Sequence, residues 1–268
     1  MVLNIAHRGA GSLAPENTLP AIRKAWEVGA DVLEIDVAPT MDGGLIILHD
    51  DLLLRTTDVR TRFPDRARKP CTTFTLAEIR SLDAGSWFAA ADPFGRIAAG
   101  QISLEELQSF AGVAIPTLEE VLIFAQEKSW RVNIEIKRAP TPMETFPITN
   151  AVLQCIEQLR VPAGLVSISS FEHAYIREVR DKRPDIEINA LIGPSLTGRQ
   201  DWGGYEFSTY NAAAHCTDET QIQAARAHGC RVNLYTVNRP SEMLRFIRAG
   251  VSGLFTDFPQ TLARVLEQ

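Results

Sequence analysis

The chain alternates short apolar runs with longer segments whose apolar residues recur at helical spacing. Side chains repeat every 2 residues along a strand face and every 3.6 along a helix, which distinguishes the two kinds of element. Eight apolar runs predict strands, at residues 2–7, 31–36, 131–136, 165–169, 186–192, 206–211, 231–237 and 253–256. Most are followed by a segment with the helical repeat, at residues 17–28, 116–126, 146–159, 172–182, 218–228, 240–249 and 259–266.

Repeated strand–helix units favour a parallel sheet with right-handed crossovers. Eight such units in a chain of 268 residues predict an α/β fold of one domain, 1–268, closed into a (β/α)8 TIM barrel. The alternative is an open doubly wound sheet, but the glycine fingerprint that typically opens its first helix is missing. Residues 51–112 depart from the alternation, and we interpret them as a small inserted subdomain after the second strand.

Two carboxylates, Glu34 and Asp36, lie within the second apolar run. Their i, i+2 spacing places both on one strand face, where unpaired buried carboxylates would be costly. A bound cation removes that cost, so we interpret both residues as metal ligands. The Asp42-Gly43 pair that follows predicts a two-residue hairpin turn. Counting back from this turn places Asp36 opposite His49, on the same face.

Further charged side chains fall at the carboxyl ends of the predicted strands, where barrel enzymes carry their active sites. Glu135 adds a third carboxylate, and three carboxylates make a hard oxygen site suited to Mg²⁺ or Ca²⁺ and not to zinc. Arg8 and Lys137 supply positive charge for a phosphate. His7 and His49 can act as general acid and base near neutral pH. Together these groups indicate phosphoryl transfer on a diester.

Composition excludes several other classes of function. A formal net charge of −6 argues against a general nucleic-acid binder and against a polybasic membrane anchor. No apolar run approaches the roughly 20 residues of a membrane span. The first ten residues become polar too soon for a signal peptide, so we expect the mature protein to begin here. The 4 cysteines have no metal-binding spacing, which favours a reducing compartment, and we expect a cytoplasmic location.

The motifs of the chain resemble those of the glycerophosphodiester phosphodiesterase family. The matching stretches occur in family order along nearly the whole chain: AHRGAGSLAPENTLPA, GADVLEIDVAPTMDG, ILHDDLLLRTT, FTLAEIRSLDAGSWF, IPTLEEVL, NIEIK, ISSF, VNLYTVN and GVSGLFTDFP. The combination of HRG…PENT with E-x-D…HD is highly specific. The resemblance implies a phospholipase-C-like barrel that hydrolyses glycerophosphodiesters to sn-glycerol 3-phosphate and an alcohol.

The resemblance also implies roles for individual residues. One divalent cation, Mg²⁺ or Ca²⁺, is expected on Glu34, Asp36 and Glu135. His7 and His49 are expected to be the acid/base pair, and Arg8 and Lys137 to contact the phosphate. Phe171 and Tyr235 are expected to line the pocket, Tyr235 standing where the family often has Trp. We expect Glu16 and Asn17 to be structural, with Asn17 near the N-cap of the first helix.

Alternative functions stay open at this point. A non-catalytic phosphoglycerol-binding module could use the same fold, although both histidines are intact. A lysophospholipase D-type activity on lysophospholipids would use the same chemistry. An isomerase or aldolase acting on sugar phosphates is disfavoured by the three carboxylates without a Schiff-base arrangement. The alcohol, the ion, the assignment of acid and base, the direct or cyclic-phosphate route and the oligomeric state are not decided by the sequence.

Overall fold

A computed structural model describes residues 1–193 and 200–268. Within these ranges the chain forms one nine-stranded sheet that closes on itself. The strands, β1 to β9 in chain order, are Leu3–His7, Val32–Pro39, Leu45–Ile47, Arg131–Ile136, Val166–Ser170, Glu187–Ile192, Thr209–Ala213, Arg231–Tyr235 and Gly253–Thr256. Eight of them match the eight predicted runs, and β3 is the returning arm of the hairpin.

Closure of the barrel depends on β1, which pairs in parallel with both β2 and β9. Ile5 stands beside Val32 on one side and beside Phe255 on the other. The remaining parallel pairs join β2 to β4 and then follow chain order from β4 to β9, and β3 is antiparallel to β2 at the outside of the ring. The predicted TIM barrel is confirmed, and the alternative of an open sheet is wrong.

Helices connect the strands and cover the barrel. In the two ranges given above the α-helices, α1 to α11, are Leu19–Glu27, Val59–Arg62, Leu76–Arg80, Ser86–Ala91, Leu104–Ser109, Leu118–Glu127, Ile148–Gln158, His173–Lys182, Glu219–Ala227, Pro240–Ala249 and Pro259–Leu266. Short 3-10 turns occur at Pro64–Arg66, Cys71–Thr73, Ala163–Leu165, Gly203–Tyr205 and Ala214–Cys216. Thr117 caps α6 with a complete capping box. None of these helices combines the length and apolar character needed to cross a membrane.

The predicted strand at 206–211 is displaced in the structure. β7 is Thr209–Ala213, so Tyr210 and Asn211 lie inside the strand, and the prediction that places them at its carboxyl end is wrong. Tyr210 is buried and packs against Trp202, with ring centroids 5.4 Å apart. Its hydroxyl accepts a hydrogen bond from the backbone amide of Phe207. Tyr210 is therefore part of the hydrophobic core and does not stand at the mouth of the barrel.

The hairpin between β2 and β3 also differs from the prediction. The backbone amide of Thr40 donates to the carbonyl of Gly44, which leaves three residues in the loop and not two. The register therefore changes by one residue, and the amide of Leu48 donates to the carbonyl of Asp36. Asp36 does not lie opposite His49, because a one-residue change moves a side chain to the other face. His49 comes after the end of β3 and reaches the active-site cleft from there.

The segment between β3 and α6 carries α2 to α5 and packs tightly on the barrel. One apolar cluster joins Phe74 and Leu82 of the segment to Ile46 of β3. A second cluster joins Phe88 of the segment to Ala21 of α1. These buried contacts support the interpretation of residues 51–112 as an inserted subdomain with its own small core, which we keep as a proposal.

Stability measurements test whether the small core of this segment, which contains Leu82, contributes to the fold. Leu82 is 2% exposed and Leu104, in the same segment, is 71% exposed. Leu82→Ala should lower the free energy of unfolding by about 2–5 kcal/mol, because it removes buried methyl groups and leaves a cavity. Leu104→Ala, the matched control, should change it by less than about 0.5 kcal/mol. Denaturant unfolding measures the free energy of unfolding of both variants. A loss in Leu82→Ala as small as that in Leu104→Ala would show that the segment is not part of the cooperative fold.

Candidate active site

A cleft of about 500 Å³ opens at the carboxyl ends of the barrel strands. It collects side chains from β1, β2, β4, β5, β6, β8 and β9 and from the loops that follow β1, β3, β4, β5 and β8. Eight of the nine predicted site residues line it: His7, Arg8, Glu34, His49, Glu135, Lys137, Phe171 and Tyr235. The ninth, Asp36, is 1% exposed and lies beside the two glutamates. The structure therefore brings together the whole predicted set.

The three carboxylates form one compact cluster. Glu34 and Asp36 share a face of β2, and the parallel register places Asp36 beside Glu135 of β4. One oxygen from each of the three side chains lies within 4.8 Å of the others. Three convergent carboxylate oxygens match the preference of Mg²⁺ and Ca²⁺ for hard ligands. The cluster therefore fits a divalent cation.

The electrostatics of the cluster support the same conclusion. Burial and the negative charge of Asp36 raise the pKa of Glu34 and Glu135 above their usual range. Burial alone would also raise the pKa of Asp36, but Lys137 and Arg8 hold it low. Lys137 Nζ lies 2.7 Å from Asp36 Oδ1, and Arg8 Nε lies 3.5 Å from Oδ2. The two cations thus neutralise mainly Asp36, and negative charge on the glutamates is left for a bound ion to offset.

His7 is oriented by a carboxylate from the opposite end of the chain. Its Nδ1 lies 2.8 Å from Asp257 Oδ1, and Asn238 Nδ2 donates to the second oxygen of Asp257. Burial would lower the pKa of His7, but the bond to Asp257 and nearby carboxylates raise it overall. An ionised carboxylate can only accept a hydrogen bond, so Nδ1 carries the hydrogen and Nε2 is left for proton transfer.

His49 has the same arrangement with a different partner. Its Nδ1 lies 2.7 Å from Oδ1 of Asp50, the next residue. Burial would raise the pKa of Asp50, but the hydrogen bonds to His49 and Arg55 hold it well below its usual range. The ionised carboxylate again assigns the hydrogen to Nδ1. The backbone carbonyl of His49 also accepts a hydrogen bond from Lys137 Nζ at 3.1 Å. Both histidines therefore have a fixed tautomer, and within residues 1–193 and 200–268 neither Nε2 has a hydrogen-bond partner.

Asn17 contributes to the site in a way that the sequence analysis missed. It lies near the N-cap of α1, as predicted, directly before the N-cap residue Thr18. Asn17 has a positive φ of 54°, and its Nδ2 donates to Asp36 Oδ2 at 2.9 Å. Asn tolerates the left-handed region better than most residues. An Asn directly before an N-cap Thr is the only local signal for this conformation.

Two aromatic side chains form one wall of the cleft. The rings of Phe171 and Tyr235 meet edge to face with centroids 6.1 Å apart. The hydroxyl of Tyr235 donates to the carbonyl of Ile192 at 2.9 Å, which fixes the ring at the end of β8. Phe171 is 51% exposed and presents its free face to solvent. The wall is therefore available to an apolar surface of a ligand.

Comparison with known proteins gives a consistent assignment. The Glycerophosphoryl diester phosphodiesterase family matches residues 7–261. A glycerophosphodiester phosphodiesterase of Caldanaerobacter subterraneus is 32% identical over 99% of this chain and 98% of its own length. One from Bacillus subtilis is 30% identical over 98% of this chain and 86% of its own length.

Solved structures agree with this assignment. An Oleispira antarctica phosphodiesterase in complex with the product sn-glycerol-3-phosphate has a TM-score of 0.77. It is 26% identical and aligns over 98% of this chain and 96% of its own. A Silicibacter pomeroyi structure with 24% identity shares the fold at a TM-score of 0.80, over 100% of this chain and 93% of its own. From the match over nearly its whole length, the chain belongs to the glycerophosphoryl diester phosphodiesterase family and is an enzyme of that class.

Proposed function

We propose that the protein hydrolyses glycerophosphodiesters to sn-glycerol 3-phosphate and an alcohol, with one divalent cation and two histidines as its catalytic groups. The observation that carries this proposal is the convergence, in one cleft, of a carboxylate cluster, two cationic side chains and two carboxylate-oriented histidines. The relative solved with sn-glycerol-3-phosphate supports the product. Family membership favours this function over a non-catalytic module and over an aldolase or isomerase.

Glu34, Asp36 and Glu135 would hold the cation. When bound, a divalent ion supplies charge stabilisation to a phosphoryl group as the negative charge on its oxygens grows. Asn17 and Lys137 hold Asp36 from two sides, through hydrogen bonds of 2.9 and 2.7 Å. These partners fix the direction of its carboxylate, which is the usual task of groups behind a metal ligand.

Arg8 and Lys137 would contact the phosphate of the substrate. Both reach the cleft, and both also touch Asp36. Their positive charge is thus held in place before the substrate arrives, which limits the reorganisation needed when charge develops. The backbone amide of Arg8 donates to Glu34 at 2.8 Å, which further fixes this loop.

His7 and His49 would carry the two proton transfers. One must protonate the departing alkoxide, and the other must take a proton from water or from the glycerol 2-hydroxyl. The tautomers set by Asp257 and Asp50 leave Nε2 of each ring for this task.

The aromatic wall and the inserted segment would shape the substrate pocket. Phe171 and Tyr235 present apolar surface on which the carbon skeleton of a glycerol moiety can pack. The segment 51–112 begins directly after His49 and Asp50. We propose that it borders the space taken by the alcohol, so that it contributes to headgroup preference.

A coupled assay tests the proposed function. The protein is incubated with glycerophosphocholine and Mg²⁺ or Ca²⁺, and released sn-glycerol 3-phosphate is measured by its enzymatic oxidation. Release of this product is the expected result, and no release from any diester or lysophospholipid in a panel would contradict the proposal. The same panel, crossed with the two metals, identifies the preferred alcohol and ion and tests the lysophospholipase D-type alternative.

A further inference from the structure

Arg55 lies between two carboxylates and binds both through paired hydrogen bonds. Its Nε and Nη2 donate to Asp50 at 2.7 and 3.0 Å. Its Nη1 and Nη2 donate to Glu16 at 2.7 and 2.8 Å. The planar guanidinium thus makes two fork-like contacts at once, an arrangement that lysine cannot reproduce because its ammonium is a single point.

The two carboxylates connect Arg55 to two residues of the cleft, His49 and Arg8. Asp50 is the partner of His49 Nδ1 at 2.7 Å. Glu16 lies in the loop between β1 and α1 and accepts a hydrogen bond from Arg8 Nη1 at 2.8 Å. A continuous series of charged hydrogen bonds therefore runs from His49 through Arg55 to Arg8.

The position of His49 explains why such a connection matters. It follows the three-residue strand β3, which is antiparallel to β2 at the edge of the sheet and has a single bridge to Thr117 on its other side. The side chain of His49 is 36% exposed, whereas that of Glu16 is 17% exposed and is already bound by Arg8. Glu16, at the barrel end of the connection, is thus held more firmly than His49 at the other end. The face of Arg55 also lies 6.0 Å from the ring centroid of Trp87, in the inserted segment.

We propose that Arg55 is a positioning residue: it fixes Asp50, and through Asp50 the imidazole of His49, to the barrel by using Glu16 as the anchor. This inference rests on the proposed role of His49 in proton transfer. Arg55 itself does not line the cleft and acts through its neighbours. It also gives the inserted segment a function at the active site, because the segment supplies both Arg55 and the ring beside it.

Kinetic measurements on two Arg55 variants test the proposal. Arg55→Ala should lower kcat by about 10²-fold, the scale expected when a reacting group is misplaced by about 1 Å. KM should stay close to that of the wild type, because the phosphate-binding residues keep their places. Arg55→Lys keeps the charge but cannot make either paired contact, so its kcat should lie between those of the wild type and Arg55→Ala. Full activity of Arg55→Lys would show that charge alone suffices and would overturn the proposal.

Arg177→Ala is the matched control. Arg177 also makes a paired contact with a carboxylate, that of Glu206, and its side chain is 44% exposed, as is that of Arg55. It also lies over an aromatic ring, that of Phe207. The activity of Arg177→Ala should match that of the wild type. Melting temperatures of all variants show whether a loss of kcat reflects loss of structure, and if Arg55→Ala does not fold, Arg55→Lys carries the comparison.

A double-mutant cycle separates positioning from other effects. In a His49→Ala background, removing the Arg55 side chain should change kcat little, since no imidazole is left to position. An equal fold-loss in both backgrounds would show that Arg55 acts independently of His49 and would overturn the inference. Failure of the proposed function looks different: His49→Ala would then be active. An impaired His49→Ala beside a fully active Arg55→Ala refutes only the positioning role.

Discussion

Removal of divalent metal is expected to abolish activity, and Mg²⁺ or Ca²⁺ is expected to restore it. Glu34, Asp36 and Glu135 place three carboxylate oxygens within 4.8 Å of one another. Without a cation they repel one another and leave the phosphate charge poorly compensated. A metal ion contributes several kcal/mol of transition-state stabilisation, so the loss of turnover should be about 10³-fold or more. Turnover of glycerophosphocholine in excess EDTA, followed by titration with each metal, measures the effect.

Thermal unfolding gives an independent readout of the same site. A metal that binds only the folded protein stabilises it by about 2.7 kcal/mol at 100 times its Kd, so the melting temperature should rise with metal. Glu135→Gln should weaken this rise and lower activity. Glu105→Gln, at an exposed position of α5, should change neither. Full activity in excess EDTA, with no metal retained by elemental analysis, would refute the metal requirement.

The barrel and most of its active site were accessible from the sequence because they depend on short-range regularity. The alternation of apolar runs and helical repeats predicts eight parallel strands, and the structure has them at nearly the same residues. The i, i+2 spacing of Glu34 and Asp36 requires only that β2 be a strand. Glu135 then follows from the rule that barrel strands present reactive groups at their carboxyl ends.

The errors arise where one residue of local geometry decides the outcome. The Asp42-Gly43 pair predicts a two-residue turn, but the loop has three residues, and the register of β3 changes accordingly. The sequence places Asn17 correctly beside the helix cap, but it does not predict the positive φ that turns the side chain to Asp36. Turn type and backbone handedness are set by tertiary packing, which a local pattern does not contain.

The partners of the proposed catalytic groups could not be predicted for a different reason. Asp257 contacts His7 across 250 positions of sequence, and Arg55 contacts Glu16 across 39. Such pairs exist only after the barrel has closed and the inserted segment has docked. Asp257 stands directly after β9, so its place at the barrel mouth is predictable, but its orientation toward His7 is not. Single-sequence patterns therefore identify the reactive groups better than the residues that hold them.

The two histidines give the second large expected effect. General acid–base catalysis typically contributes about 10²–10⁴-fold to the rate, which is equivalent to roughly 3–5 kcal/mol of activation free energy. His7→Ala and His49→Ala should each lose kcat on glycerophosphocholine by about that factor, because each ring offers one free Nε2 for one proton transfer. Metal binding and melting temperature should stay close to those of the wild type, since neither ring belongs to the carboxylate cluster. His215→Ala, on the exposed turn after β7, is the control and should keep full activity.

The identity of the leaving group separates the two roles. A nitrophenyl diester releases a weakly basic phenolate that needs little protonation, so the variant lacking the general acid should recover most of its turnover on this substrate. The variant lacking the general base should stay impaired, because the attacking oxygen must still lose its proton. The comparison thus assigns acid and base to His7 and His49 without any assumption about which side of the cleft holds the alcohol. Near wild-type turnover of both single variants on glycerophosphocholine would refute the two-histidine mechanism.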